Sequence, residues 1–199
     1  MRPWIVGCLV AALAAGTTPV AAAIDETLRA TLLQMGRDDQ EATRVATADP
    51  TRQLNEAERI QNDTIHRTNA QLIRRIVEER GWPGISLVGA DGASAAWVVV
   101  QHMDDEPEFQ RSCLALMEKA FETGEVRPQE LAYLTDRVLT HEGKRQMYGT
   151  QGRGVMSPQD EARIDTNRAA IGLPPWRVAV EQRQKVYANG YGGAVKPRP

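Results

Sequence analysis

The chain has 199 residues, 24 Lys and Arg against 26 Asp and Glu, and a formal charge of −2. That mildly acidic balance offers no basic footprint for nucleic acid or an anionic membrane surface. With 42% hydrophobic residues and two cysteines, the length suits one ordinary domain with a core of its own, held by packing.

The first residues read as a secretory signal. Arg2 is a short positive n-region, Trp4 to Gly16 runs without a charge, and Thr17-Thr18-Pro19 breaks the run. Val20-Ala21-Ala22-Ala23 then supplies the small residues that a signal peptidase reads, so cleavage is expected after Ala23. The run is shorter than the roughly 20 apolar residues of a spanning helix, so no stable membrane insertion is expected after cleavage. A lipoprotein reading through Gly7-Cys8 is weaker, because almost no n-region precedes the cysteine. The mature protein is expected to be exported, either periplasmic or secreted. Cleavage removes Arg2 and Cys8, which makes the chain one charge more negative and leaves Cys113 with no disulfide partner.

The remainder reads as helices separated by short breaks, an all-α domain over residues 24–189. Asp25 caps a first helix with Leu28, Leu32 and Met35 on one stripe, decaying near Asp49-Pro50. A long second helix runs from about Leu54 to Arg80, with Ile65, Asn69, Leu72, Ile73, Ile76 and Val77 on its inner face. Gly81 and Pro83 end it. Gly81-Trp82-Pro83-Gly84 and Gly89-Ala90-Asp91-Gly92 bracket Ile85 to Val88, which reads as an ordered loop. Ala93 to His102 is apolar almost all round and predicts a central buried helix, with a buried strand as the rival assignment. Asp105 is the expected cap of the next helix, with Pro107 in its first turn and Phe109, Cys113, Leu116, Met117, Ala120 and Phe121 facing inward. Gly124 ends it. A helix from Pro128 to Gly143 turns Leu131, Leu134 and Val138 inward. Lys144 to Met156 is a glycine-rich loop. Ser157-Pro158-Gln159-Asp160 has capping-box spacing and starts a helix ending at Gly172. Pro174-Pro175 opens a last helix to about Asn189, and the tail 190–199 is expected to be disordered.

Several short runs occur together in the middle of the chain. They are Gly81-Trp82-Pro83, Ser86-Leu87-Val88-Gly89, Ala96-Trp97 leading into Gln101-His102-Met103-Asp104, and Phe109-Gln110. They continue with Ala132-Tyr133-Leu134-Thr135-Asp136-Arg137, Glu142-Gly143-Lys144 and Gln146-Met147-Tyr148-Gly149-Thr150-Gln151. The combination resembles a bacterial family known as domain of unknown function 6624, over about residues 54–175. Met103 replaces the alanine associated with that position. The resemblance implies a shared domain and no particular activity.

Three groups of residues carry candidate chemistry. His102 ends the buried helix beside the acidic turn Asp104-Asp105-Glu106, where an imidazole suits general acid–base work. The plainer reading is a helix-end histidine that satisfies backbone groups. Asp136 and Arg137 are neighbours on a helix and point about 100° apart, so one faces the core and the other a cleft. Arg137 suits a carboxylate or phosphate, and Asp136 suits the orienting of a histidine. A buried ion-pair network is their alternative role. Gln146, Tyr148, Thr150 and Gln151 offer amides, a phenol and a hydroxyl beside Gly149, where backbone can approach a ligand. Their alternative role is a loop that seals the core.

Other motifs fail on pattern. Gly149-Thr150-Gln151-Gly152-Arg153-Gly154 lacks the Gly-Lys-Ser/Thr end of a phosphate loop, and Ser86 sits in no nucleophile elbow. His102, Asp104, Asp136, His141 and Glu142 lack paired metal-ligand spacing, so no metal and no cofactor is expected. Cys113 reads as a small core hydrophobe, His141 as a helix-end cation and His66 as solvated. Two functional readings follow. In the first, Gln101, His102, Arg137, Tyr148 and Gln151, with Asp104, Gln146 and Thr150, line a cleft for a polar small molecule or peptide. In the second, a hydrolase uses His102 as acid or base, Asp136 to orient it, and Arg137 or a loop amide against developing charge. A purely structural polar network is the third.

Overall fold

The computed structural model describes residues 23–47, 51–152 and 157–188. The expected signal up to residue 22 and the tail 190–199 lie outside the described residues. Seven helices and no strand occur among the described residues: α1 (Glu26–Thr47), α2 (Glu56–Arg80), α3 (Ile85–Gln101), α4 (Pro107–Phe121), α5 (Pro128–His141), α6 (Pro158–Ala170) and α7 (Trp176–Ala188). None is long and apolar enough to cross a membrane.

Caps set most of these boundaries. The Asp25 carboxylate accepts from Leu28 N at the start of α1. Asn55 and Glu58 form a reciprocal capping box on α2, and Ser157 Oγ accepts from Asp160 N on α6. Each such cap satisfies a helix N–H that has no partner inside the helix.

Two boundaries differ from the sequence reading. Ile85 to Val88 is the first turn of α3 and not a loop, because Glu125 acts as an external cap. Its carbonyl accepts from Ile85 N at 3.2 Å and its carboxylate from Ser86 N at 2.7 Å. Gly89, at φ 73° and ψ 163°, is itself non-helical and kinks α3 between this first turn and the longer helical stretch that follows. Asp105 does not cap α4. Glu106 holds the N-cap position without a side-chain bond to the helix, and Pro107 at the first helical position removes one N–H that would need it.

Helix α3 is the centre. It packs against α1, α2, α4 and α5, with Val88, Ala96, Val99 and Val100 at most 2% exposed. Small side chains along it let its neighbours approach, and Leu32, Ile73, Met117 and Leu134 fill the space between them. Each of those large side chains contributes roughly 1.5–3 kcal/mol by leaving water. Helices α6 and α7 pack on each other and join this core through residues 146–150.

Candidate functional site

His102 caps the C-terminus of α3 and is gripped from α1. Its Nδ1 lies 2.5 Å from Oδ2 of Asp39, a carboxylate only 1% exposed. The other Asp39 oxygen is 3.8 Å from Nδ1 of His66 on α2. On the far side of the ring, the Gln101 side-chain amide is 3.3 Å from His102 Nε2. A carboxylate at Nδ1 fixes which ring nitrogen carries the proton and leaves Nε2 as the basic atom. The orienting partner is therefore Asp39 and not Asp136, whose oxygens are occupied elsewhere.

Next to this pair lies a second polar knot. Arg137 Nη1 contacts both oxygens of Asp104, at 2.5 and 2.7 Å, and His141 Nε2 is 3.6 Å from the same carboxylate. Gln110, fully buried, donates to the carbonyls of Val100 and Gln101 and to Asp104. Arg137 is thus held by a carboxylate of the chain itself, in a pair that Asp136 does not join and in which Asp104 is exposed.

Asp136 faces a different side of α5, as the 100° step between neighbours requires. It has no exposed surface and holds the segment after α5 by its backbone. Oδ1 accepts from Met147 N and Tyr148 N, at 2.6 and 2.9 Å. Oδ2 accepts from Thr150 N and Thr150 Oγ1, at 2.8 and 2.9 Å. The carbonyls of the same segment are taken by the C-terminal helices. Arg163, Asn167, Arg168, Trp176 and Arg183 donate in turn to the carbonyls of Gln146, Met147, Tyr148, Gly149 and Thr150. This stretch of chain, bent at Met147 and Tyr148, is thus bonded through its amides on one side and its carbonyls on the other.

Side chains of the segment are largely spent on this construction. Gln146 Oε1 accepts from Gln151 N, and Gln151 Nε2 donates to Tyr133 O and Thr150 Oγ1. Tyr148 is buried, and burial first, then the charge of Asp136, holds its phenol above the ordinary pKa. Among the described residues, no hydrogen bond joins this network to the His102 knot. Gln101, His102, Asp104 and Arg137 form one polar group, and Asp136, Gln146, Tyr148, Thr150 and Gln151 form another. The single shared cleft expected from sequence is replaced by two networks because α5 sends adjacent residues to different faces.

The concave surface lies beside the second network. A pocket of about 480 Å³ opens between α5, residues 149–150, α6 and α7. Tyr133, Leu173 and Trp176 give it apolar and aromatic wall, and Thr150, Arg168 and Arg183 give it polar groups. Gly149 is required here. It sits at φ 69°, and a Cβ would lie 2.6 Å from the Trp176 ring. Arg168 is 5% exposed. Burial pulls its pKa below the ordinary value and the nearby Arg183 cation adds to this, while Asp165 and Asp136 oppose.

Cys113 lies in the core, where burial pushes its thiol up to about 12, so it offers no thiolate. No group of three His, Cys, Asp or Glu among the described residues is placed to hold a metal ion.

Sequence reasoning missed Asp39, Arg168, Trp176 and Arg183. Asp39 had a signal, since it continues the Leu32 and Met35 stripe of α1 as a carboxylate in an apolar register. Arg168, one turn beyond buried Ile164, had the same one. Trp176 and Arg183 had none, because α7 carries no strong apolar stripe that would mark its inner face.

No curated protein and no solved structure matches the chain. A family model matches residues 26–196, beyond both ends of the stretch in which the motifs were read. The glycine, tryptophan and Tyr-Gly-Thr-Gln motifs, the buried α3 and the doubly bonded segment therefore describe one member of a larger set: the chain belongs to the family of unknown function DUF6624.

Proposed function

We propose that the protein is a binding module for a small polar molecule or a short peptide, and that the ligand occupies the pocket between α5, residues 149–150, α6 and α7. One observation carries the reading. The pocket holds about 480 Å³, within the usual range for small-molecule sites, and its floor is fixed in advance. Asp136 and the C-terminal helices already hold Gly149 and Thr150 there, so binding does not have to order them. The test is a fragment screen by ligand-observed NMR on the protein and on Ala179→Trp. Ala179 lines the pocket from α7 and is partly exposed, so the larger ring fills space without entering the core. Hits that vanish with the variant support the reading. An absence of hits, or hits indifferent to the variant, rejects it.

A second reading keeps the hydrolase, now with a different dyad. The 2.5 Å contact between buried Asp39 and His102 is the arrangement that makes Nε2 a general base for water. On this reading p-nitrophenyl acetate is hydrolysed faster than in buffer, and His102→Gln abolishes the excess. Equal rates for wild type and His102→Gln reject it. The export expected from the first 23 residues belongs with both readings, and an N-terminus at Ile24 in the exported protein is its check.

A further inference from the structure

The pocket carries a charge that no carboxylate among the described residues pairs with directly. Arg168 is the buried arginine among the described residues, and no carboxylate lies within 4.0 Å of it. Exposed arginines around it, such as Arg163 and Arg177, have carboxylate partners. Arg183, on the same pocket wall, has none either. Buried charges are ordinarily paired, because the cost of leaving water must be offset locally. Here Arg168 donates through Nε to Pro174 O and through Nη1 to Tyr148 O, and Arg183 donates through Nη1 to Thr150 O. Those carbonyls fix the two guanidinium groups in place without cancelling their charge. Among the described residues, Arg168 Nη2 and the Nε and Nη2 of Arg183 retain donors.

The rest of the wall agrees. It contains no Asp or Glu, and its other polar side chains are Thr150 and two glutamines. Tyr133 and Trp176 present flat rings to the same space. We infer that the ligand of this pocket is a small aromatic oxyanion, a ring bearing a carboxylate or a phosphate ester. The oxyanion takes the free donors of Arg168 and Arg183, and the ring lies against Tyr133 and Trp176. Guanidinium forks match both oxyanions, and an aromatic wall favours a planar body. Binding of an anion also offsets the burial of Arg168, the first cause that holds its pKa down, with the Arg183 cation a smaller one.

This inference rests on the pocket being the binding site, and its test separates the two. The probes are 1-naphthoate, 1-naphthyl phosphate and the uncharged 1-naphthamide, titrated by calorimetry into the whole protein. The two anions should bind at least tenfold more tightly than the amide, and the tighter of the two identifies the oxyanion. Arg183→Gln should weaken the anions at least tenfold, and Arg183→Lys should restore part of that. Gln182→Glu adds a negative charge at an exposed wall position whose side chain makes no hydrogen bond among the described residues, so it tests the charge with little effect on the fold. It should weaken the anions and spare the amide. If the amide binds as tightly as the anions and Ala179→Trp abolishes both, the pocket stands and the anion inference falls. If the anions bind but Ala179→Trp leaves them unaffected, they bind elsewhere and the inference also falls. If none of the three binds, it falls as well, while the fragment screen still judges the pocket.

Discussion

Replacing Asp136 by Asn leaves the shape of the side chain almost unchanged and removes one acceptor. In the better amide orientation, the remaining oxygen keeps Met147 N and Tyr148 N. The new NH2 then faces Thr150 N, formerly 2.8 Å from Oδ2, while the Thr150 hydroxyl can turn to accept. One buried donor is left opposed to another, at about 1–3 kcal/mol, and the two retained bonds lose their charge assistance. The opposite orientation sets the NH2 against two amides and is worse. The loss sums to about 3 kcal/mol, a fall in Tm of roughly 6–12 °C for a domain of this size. Thermal melts of wild type and Asp136→Asn by circular dichroism at 222 nm measure it. Variants that melt within 2 °C of each other would refute the view that this carboxylate organises the segment.

Gly149→Ala should lower stability by about 2–3 kcal/mol, because a positive φ and a Cβ against Trp176 act together. Gly152→Ala, also at positive φ but with nothing within 4 Å, should lose only about half as much, and a comparison of their urea midpoints isolates the clash. Glu130 has its pKa raised by burial, against the opposing Ser94 hydrogen bond and the Arg127 charge. A carboxyl with a higher pKa folded than unfolded loses stability as pH rises from the unfolded value, about 4.3, through the folded one. Glu130→Gln should therefore melt higher than wild type at pH 8, with the difference closing below pH 4. A difference independent of pH contradicts the burial argument. Cys113, with its thiol pushed up to about 12, should resist iodoacetamide at pH 8 in the folded protein and label fully in guanidinium, read on its own peptide by mass spectrometry.

Much of the fold was legible because its signals are local. The stripe of α2, the all-round apolar α3 and the Ser157 cap all act within a few residues of the bonds they form. Misreadings occurred where the partner was distant. Glu125 caps the first turn of α3 from 39 residues away, so Ile85 to Val88 looked like loop between glycines. At the site, His102 was singled out by its place at a helix end. Its partner Asp39 lies 63 residues earlier and could be found only by which helix packs beside α3. The different faces of Asp136 and Arg137 follow from helix geometry alone, yet what each face meets is tertiary. The pocket is the extreme case, since Arg168, Trp176 and Arg183 acquire a common role only when α6 and α7 fold back over residues 146–150.

Because both edges of that stretch are occupied, its amides are guarded without belonging to any helix. Met147 N, Tyr148 N and Thr150 N answer to Asp136, and the opposite edge answers to donors on α6 and α7. Hydrogen–deuterium exchange at those three amides should therefore report on release of the segment from Asp136. A molecule seated beneath Trp176 would ally itself with the closed form and slow that exchange, giving an ordinarily silent loop the character of an occupancy gauge.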